Sequence, residues 1–400
     1  MKLLIYECKK ILNLRLLVFL AVFTALFYNL FMEIMIHPNG NARCVAANDF
    51  AIILREKYGC DRILSYGEFE LLEEVRQEQL LKLDMLVQES SILQEEGITS
   101  YQKLEAIDLQ EMKENVYEEL CRIDFEDGTR QVFLKQHIES VYEDMKFHPT
   151  LGIAKGKEEQ AADTVLSHTV SKGYTQDAIE RVADVIAQNR LSLLPESVLF
   201  HLEQDFPKFG VLLIISCLIF ILPYQIREHF AGGNVLFATT HTGRNLWKIR
   251  ELSAVLCSIG VCLAQFFIFC MLLVNKGVLQ YWNYSVNGSR TTFYWLDMNL
   301  GTYLILKEIL YSIIAVSVMI VFYLISRLAQ NYIVGIASGI PMTVGIGFLN
   351  VLFTKEFMKV RLNIANDLLR PIEFAAVLVG IAVTIVCILR YWDKRRDIFL

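Results

Sequence analysis

The chain contains no nucleotide-binding pattern. Its nearest approach, GIAKGKEE from Gly152, lacks the G-x-x-x-x-G-K-[ST] spacing whose backbone amides cradle phosphate groups. No H-x-x-x-H zinc pair, G-x-S-x-G elbow or C-x-x-C pair occurs. The 7 histidines are scattered, and His37 and His148 each precede a proline. The 9 cysteines form no metal pattern. Cys8, Cys217, Cys257, Cys262, Cys270 and Cys387 lie in or beside apolar runs, where a thiol behaves as a small hydrophobe. Cys44, Cys60 and Cys121 lie elsewhere; three is odd, and a Cys44–Cys60 bridge stays open. Charge is scarce too, at 20% of residues against 54% hydrophobic. These absences leave an enzyme reading little support, and neither a bound cofactor nor a nucleic-acid partner is expected.

Long apolar runs are what the chain has instead. A membrane-spanning helix needs about 20 mostly apolar residues to cross a hydrocarbon core roughly 30 Å thick. Six segments qualify: Leu12–Ile36, Phe209–Ile226, Leu252–Val274, Thr302–Ser326, Tyr332–Phe353 and Ile372–Trp392. The first is too long for a signal-peptide apolar region and no small-x-small site follows it, so it is read as a retained helix. Before it, Leu3, Leu4 and Ile5 beside Lys2, Lys9 and Lys10 suit a short helix lying at the membrane interface.

Orientation follows from Lys and Arg near the helix ends. Lys2, Lys9, Lys10, Arg15, Arg227, Arg244, Lys248, Arg250, Arg327, Arg390, Lys394, Arg395 and Arg396 fall on one side of a six-span arrangement. Both termini are therefore expected in the cytoplasm. Lys355, Lys359, Arg361 and Arg370 fall on the other side and break the rule.

Residues 37–208 form one large insertion between the first and second spans. They carry 33 Asp and Glu against 18 Lys and Arg, a balance of −15; the whole chain stands at −6, so the rest is +9. An acidic outer domain of this kind gains solubility, or attracts cationic ligands. Its hydrophobic period is helical. Phe69, Leu72, Val75, Leu80, Leu83 and Val87 mark one face, and Ile138, Val141, Tyr142 and Met145 repeat at i, i+3, i+4 and i+7, as do Ile179, Val182, Val185 and Ile186. Breaks are expected at 96–100, at Asp127–Gly128 and across 148–157. Strands are allowed but not required.

Among the spans, Pro223 is expected to end or kink the second helix and Pro341 to break the fifth. Gly335, Gly339, Gly345 and Gly347 suit close helix packing in lipid. Tyr281, Trp282, Tyr284, Tyr294 and Trp295 suit the membrane–water boundary. Polar residues in apolar runs are costly and single out Asn29, Gln265, Lys307, Glu308 and Asn350, which line a pathway or join helices. Lys307 and Glu308 are expected to snorkel to the interface rather than face inward.

The stretch with most to say about function is Arg227–Arg250, REHFAGGNVLFATTHTGRNLWKIR, a polar, Gly-rich, basic segment between two spans. Glu228, Gly232, Thr240, Gly243 and Arg244 fall in a pattern that resembles the cytoplasmic loop of ABC-2-type permeases, the membrane subunits of ABC exporters. That pattern is an acidic residue before a Gly, an apolar helix, a Ser or Thr, then a small residue and an Arg. A Lys usually follows some seven residues on; here Lys248 and Arg250 stand nearby, so the last element is shifted. The resemblance covers the membrane part and not residues 37–208.

The sequence is thus read as an all-α polytopic membrane protein with six transmembrane helices and a mainly helical extracytoplasmic domain between the first and second, and the resemblance, over the membrane part, implies the same six spans together with a coupling helix and a re-entrant outer segment. Residues 1–36 would hold the interfacial helix and first span, 37–208 the outer domain, and 209–400 five spans. A coupling helix would lie at 228–248 and a re-entrant outer segment at 354–370, which would account for the misplaced basic residues. Phe230, Val235, Leu236, Phe237 and Leu246 would form the docking face, with Glu228 and Arg244 setting register. The implied activity is export of a peptide, drug or lipid-like substrate across the cytoplasmic membrane. A separate ATPase subunit carrying ATP-Mg would drive it, with a second permease copy or sister permease as partner. The alternative is a membrane sensor or scaffold whose acidic outer domain binds a ligand.

Overall fold

A computed structural model describes residues 2–32, 42–59, 69–110, 112–147, 176–187, 194, 196–230, 241–287, 293–329, 331–354, 359 and 370–396. Among the described residues it is 86% helical and contains no strand. Among the described residues, six helices are long and apolar enough to cross a membrane: α2 (Leu14–Phe31), α10 (Glu196–Phe230), α11 (His241–Asn275), α12 (Leu300–Leu328), α13 (Tyr332–Thr354) and α14 (Arg370–Arg396). All six fall on the expected runs. The mainly helical, six-span reading of the sequence therefore holds, and the chain has the make-up of a multi-pass membrane protein.

Local sequence fixes where these helices begin. The Asn13 side chain accepts a hydrogen bond from the Arg15 amide at 3.0 Å and opens α2, and Asn299 does the same for Thr302 at 2.8 Å and opens α12. Each satisfies one of the orphan amides that a helix start leaves bare. At about 1.5 Å per residue, the 35 residues of α10 overreach a roughly 30 Å apolar slab at one or both ends.

The core lies between α10 and α12. About two thirds of the apolar window of α10 is buried and over half of that of α12, whereas α2, α13 and α14 bury a quarter or less. Phe206, Phe209, Phe220, Tyr303, Tyr311 and Phe322 fill the seam. The peripheral helices turn Phe19, Val22, Leu26, Leu263, Phe267, Ile333, Val344 and Phe348 outward. Outward apolar surface of this extent suits a hydrocarbon surrounding and not water.

Glycine sets how closely α13 approaches α10. A Cβ on Gly335 would stand 2.8 Å from the Ile226 side chain, and one on Gly339 3.1 Å from Leu218. Gly347 meets Val211, while Gly345 faces open space. Gly210 of α10 is tighter still: a Cβ there would lie 2.5 Å from the Tyr311 ring and 2.8 Å from the Asn350 amide. Gly210→Ala is therefore expected to cost about 1–3 kcal/mol by overpacking and to lower the melting temperature of the detergent-purified protein. Gly345→Ala is the control and should leave it unchanged. Equal melting of the two variants would contradict this packing.

The prolines differ from expectation. α10 continues beyond Pro223 to Phe230, and α13 runs unbroken across Pro341. A proline frees one carbonyl and crowds another, but neighbouring helices and hydroxyls can absorb that cost inside a bundle. Ser338 lies one turn before Pro341 and donates to the Val334 and Gly335 carbonyls at 2.8 and 3.1 Å. The Asn350 amide caps the Pro207 carbonyl at 3.1 Å.

The insertion forms a separate helical layer. It contains α3 (Ala42–Tyr58), α4 (Phe69–Glu89), α5 (Ser91–Glu95), α6 (Tyr101–Glu105), α7 (Glu114–Arg122), α8 (Thr129–Phe147) and α9 (Gln176–Ala187). Leu72, Val75, Leu80, Leu83 and Val87 are buried on the expected face of α4. The breaks at 96–100 and at Gly128 are present, the second after a π-turn at Ile123–Asp127. Residues 148–157 and Cys60 lie outside the described residues, as does the Cys44 side chain, so a Cys44–Cys60 bridge is not addressed. Arg55 reaches the Gln280 carbonyl at 2.8 Å and Arg181 reaches Asp297 at 2.8 Å. These contacts tie the layer to the connection between α11 and α12.

In that connection Tyr281, Tyr284 and Tyr294 are buried against the bundle. Asn287 is fully buried and ties the connection together: its side chain accepts from the Tyr294 amide at 2.6 Å and donates to Leu296 and Asp297.

Candidate functional site

The stretch 227–250 meets the folded bundle at both its ends. α10 carries it as far as Phe230 and α11 takes it up again from His241. Gly232, Phe237 and Thr240 lie outside the described residues. Glu228 falls in the last turn of α10, and Gly243 and Arg244 in the first turn of α11, with side chains that are not described.

What the structure builds on either side of this segment is a buried charge cluster centred on α1 (Lys2–Ile11). Glu7 of α1 is buried, and its carboxylate accepts a hydrogen bond from the Tyr224 hydroxyl of α10. The same carboxylate lies 3.7 Å from Nε of Arg250, a fully buried side chain of α11. Lys10 pairs with the other Glu7 oxygen at 3.2 Å. Arg227 donates to the Lys10 carbonyl at 2.9 Å, and the Cys257 thiol approaches the Cys8 carbonyl at 3.9 Å. One short helix thus ties together the two long helices that carry the 227–250 segment.

Neither Glu7 nor Tyr224 was singled out from the sequence, and Arg250 was read only as one of several inner basic residues. The available signal was modest: Glu7 is the lone acid in KLLIYECKKI, set on an amphipathic helix otherwise basic. A buried ion pair of this kind repays its desolvation only when both partners are present.

The intramembrane residues fall out differently from one another. Asn29 donates to its own helix at Ala25, 2.8 Å away, and stays exposed. Gln265 of α11 donates to Thr24 of α2 at 2.8 Å and lies 3.5 Å from Ser216 of α10, so it joins three helices. Asn350 joins α13 to α10.

Lys307 and Glu308 contradict the snorkelling expectation, since both are buried. The Lys307 ammonium donates to the Thr354 carbonyl at 3.3 Å and lies over the rings of Tyr303, Phe206 and Tyr311 at 5.4, 5.9 and 6.0 Å. Aromatic faces and a carbonyl replace the water that snorkelling would have sought.

A second charge cluster lies at the opposite end of the bundle from α1. Glu203 of α10 pairs with Lys359 at 2.5 Å and accepts from the Tyr294 hydroxyl at 2.5 Å. Burial first, then the neighbouring Tyr303 and Glu203, holds the Tyr294 phenol well above its ordinary range, so it remains a donor. Of the expected re-entrant segment, only Thr354, Lys359 and Arg370 are described.

No family model, curated protein or solved structure matches this chain. The arrangement offers no group of three or more metal-ligating side chains among the described residues. Its buried charges lie at the two ends of the helix bundle.

Proposed function

We propose that the chain is the permease subunit of an ATP-driven exporter, powered by a separate ATPase subunit that docks on residues 228–248. The supporting observation is the Glu7–Tyr224–Arg250 cluster. A force applied to the segment between α10 and α11 would otherwise be lost in two independent helix ends. With Glu7 joining both, displacement passes to α1, α10 and α11 together. The resemblance of Glu228, Gly232, Thr240, Gly243 and Arg244 to the ABC-2 permease loop points the same way.

In this reading the α1 end faces the cytoplasm, both termini are cytoplasmic, and the α3–α9 layer is extracytoplasmic. Phe237 supplies apolar contact to the ATPase and Arg244 fixes its register. The chain works with a second copy or a sister permease, ATP-Mg sits on the partner, and a peptide, drug or lipid-like molecule is the substrate.

Co-purification from the native membrane tests this. The expected result is a nucleotide-hydrolysing chain retained on the wild type and lost at least tenfold with Arg244→Glu, the order of effect of placing a like charge at a docking contact. Retention unaffected by Arg244→Glu would overturn the docking assignment. Side is tested separately with an impermeant thiol reagent on Ser91→Cys, in a background with Cys44, Cys60 and Cys121 replaced by serine. Labelling only from the cytoplasmic face would reverse the topology.

A further inference from the structure

Among the described residues, the buried carboxylates of this bundle are matched with cations, with one exception. Glu7 has Arg250 and Lys10, Glu203 has Lys359, and Asp205 has Lys208 at 3.5 Å. Glu308 is 5% exposed and makes no ion pair among the described residues. Its Oε1 accepts from the Ser312 hydroxyl at 2.7 Å. Its Oε2 is buried with no hydrogen-bond partner among the described residues. Lys307 stands next in sequence but is committed to Thr354 and the three rings, on another face of α12.

The surroundings of Glu308 are polar yet uncharged toward it. From α2 comes Tyr28, whose buried hydroxyl also has no partner among the described residues, and which feels the charges of both Glu308 and Asp205. From α11 come the thiols of Cys262 and Cys270, and Cys262 touches Cys217 of α10 and Ser312. From α13 and α14 no titratable group reaches it among the described residues. Further along the same seam, the Gln265 amide bonds Thr24 and nears Ser216, and its Oε1 and the Ser258 hydroxyl are buried without partners among the described residues. Ser258, Cys262 and Gln265 follow at helical spacing on one face of α11.

We propose that Glu308 is a proton-binding site inside the membrane bundle, holding an exchangeable proton on its carboxyl. A carboxylate removed from water without a counter-cation is expensive, and the neutral acid is the form such a place accommodates. As an acid, Glu308 keeps the Ser312 hydroxyl on Oε1 and gains a donor on Oε2. Release returns the proton to water by way of the polar side chains of the seam and leaves the carboxylate behind. The site does not depend on an ATPase partner, so its failure and that of the exporter reading are separable.

The test uses the full-length protein in lipid nanodiscs without nucleotide. A hydrophobic carbodiimide, which attacks protonated carboxyls in apolar surroundings, is applied from about pH 5 to about pH 9, the range over which buried carboxyls titrate. The modified peptide is identified by mass spectrometry. Glu308 should be labelled, with labelling falling about tenfold per pH unit on the alkaline side, as one titrating group requires. Infrared spectra should show a protonated-carboxyl stretch that moves in heavy water and is lost in Glu308→Gln. Where Glu308→Gln fails to fold, the pH course of wild-type labelling decides. An unlabelled Glu308, labelling that does not change with pH, or protection by sodium but not choline would each overturn the proposal, the last by making it a metal-cation site.

Discussion

Glu7→Gln is expected to be the most damaging single-atom change in the α1 end of the bundle. It leaves the shape of α1 intact and keeps an acceptor for the Tyr224 hydroxyl, but removes the negative charge that faces Arg250, whose side chain is fully buried. Removing one partner of a buried pair costs about 3–5 kcal/mol, because the remaining charge stays out of water. Replacing both, as Glu7→Leu with Arg250→Met, should recover much of that loss by the same reasoning. The measurement is a double-mutant cycle on melting temperature and on the monodisperse fraction in detergent. Additive losses, with the double variant worse than either single one, would mean the two side chains do not act as a pair. An exporter whose force crosses this cluster should also lose transport in the double variant while keeping its fold. Recovery of both fold and transport would leave Glu7 a purely structural anchor.

The spans were legible because hydropathy is a one-dimensional signal and a bilayer reads it as one. The α4 face and the breaks at 96–100 and at Gly128 were legible because their cause is local, in a repeat of 3.6 residues and in glycines beside polar residues. The charge clusters were not, because their partners are remote: Tyr224 and Glu7 are 217 positions apart in the chain, and Lys359 and Glu203 are 156 apart. Nothing in the sequence around Glu7 distinguishes an acid that meets an arginine from one that meets water.

Lys307 and Glu308 were misjudged for a related reason. A pair of opposite charges eight residues inside a span looks like an interfacial pair. Only the packing shows that the two point apart, one toward three rings on the α10–α13 side and the other toward α2 and α11. Prolines misled in the opposite direction. In water a mid-helix proline ends the helix, whereas inside a bundle the neighbouring helices absorb that cost, and α13 runs through Pro341.

At the other end of the bundle, Glu203→Gln should destabilise far more than Lys307→Met. One carboxylate there answers two ammonium groups: it pairs with Lys359 directly, and its charge is felt at Lys307. Glu203→Gln keeps an acceptor for Tyr294 but leaves Lys359 without its partner in a poorly solvated region, at a cost of about 3–5 kcal/mol. Lys307→Met forfeits the bond to Thr354 and the contact with three rings, yet it also removes a buried charge and fills the same volume. Exchanging a buried ion for an apolar group of similar size is often neutral, so the net change should be small. The ordering follows from charge balance alone. It should survive high salt, which screens exposed pairs and reaches buried ones poorly. Adding Lys307→Met to Glu203→Gln should win back part of the loss, since the amine that opposes Lys359 is then gone. Melting curves of the three variants at low and high salt decide the matter. If Lys307→Met alone is as damaging as Glu203→Gln, Lys307 is held by its own contacts and owes nothing to Glu203. The tie between Lys359 and α10 would then be a pairwise anchor and not part of a shared charge cluster.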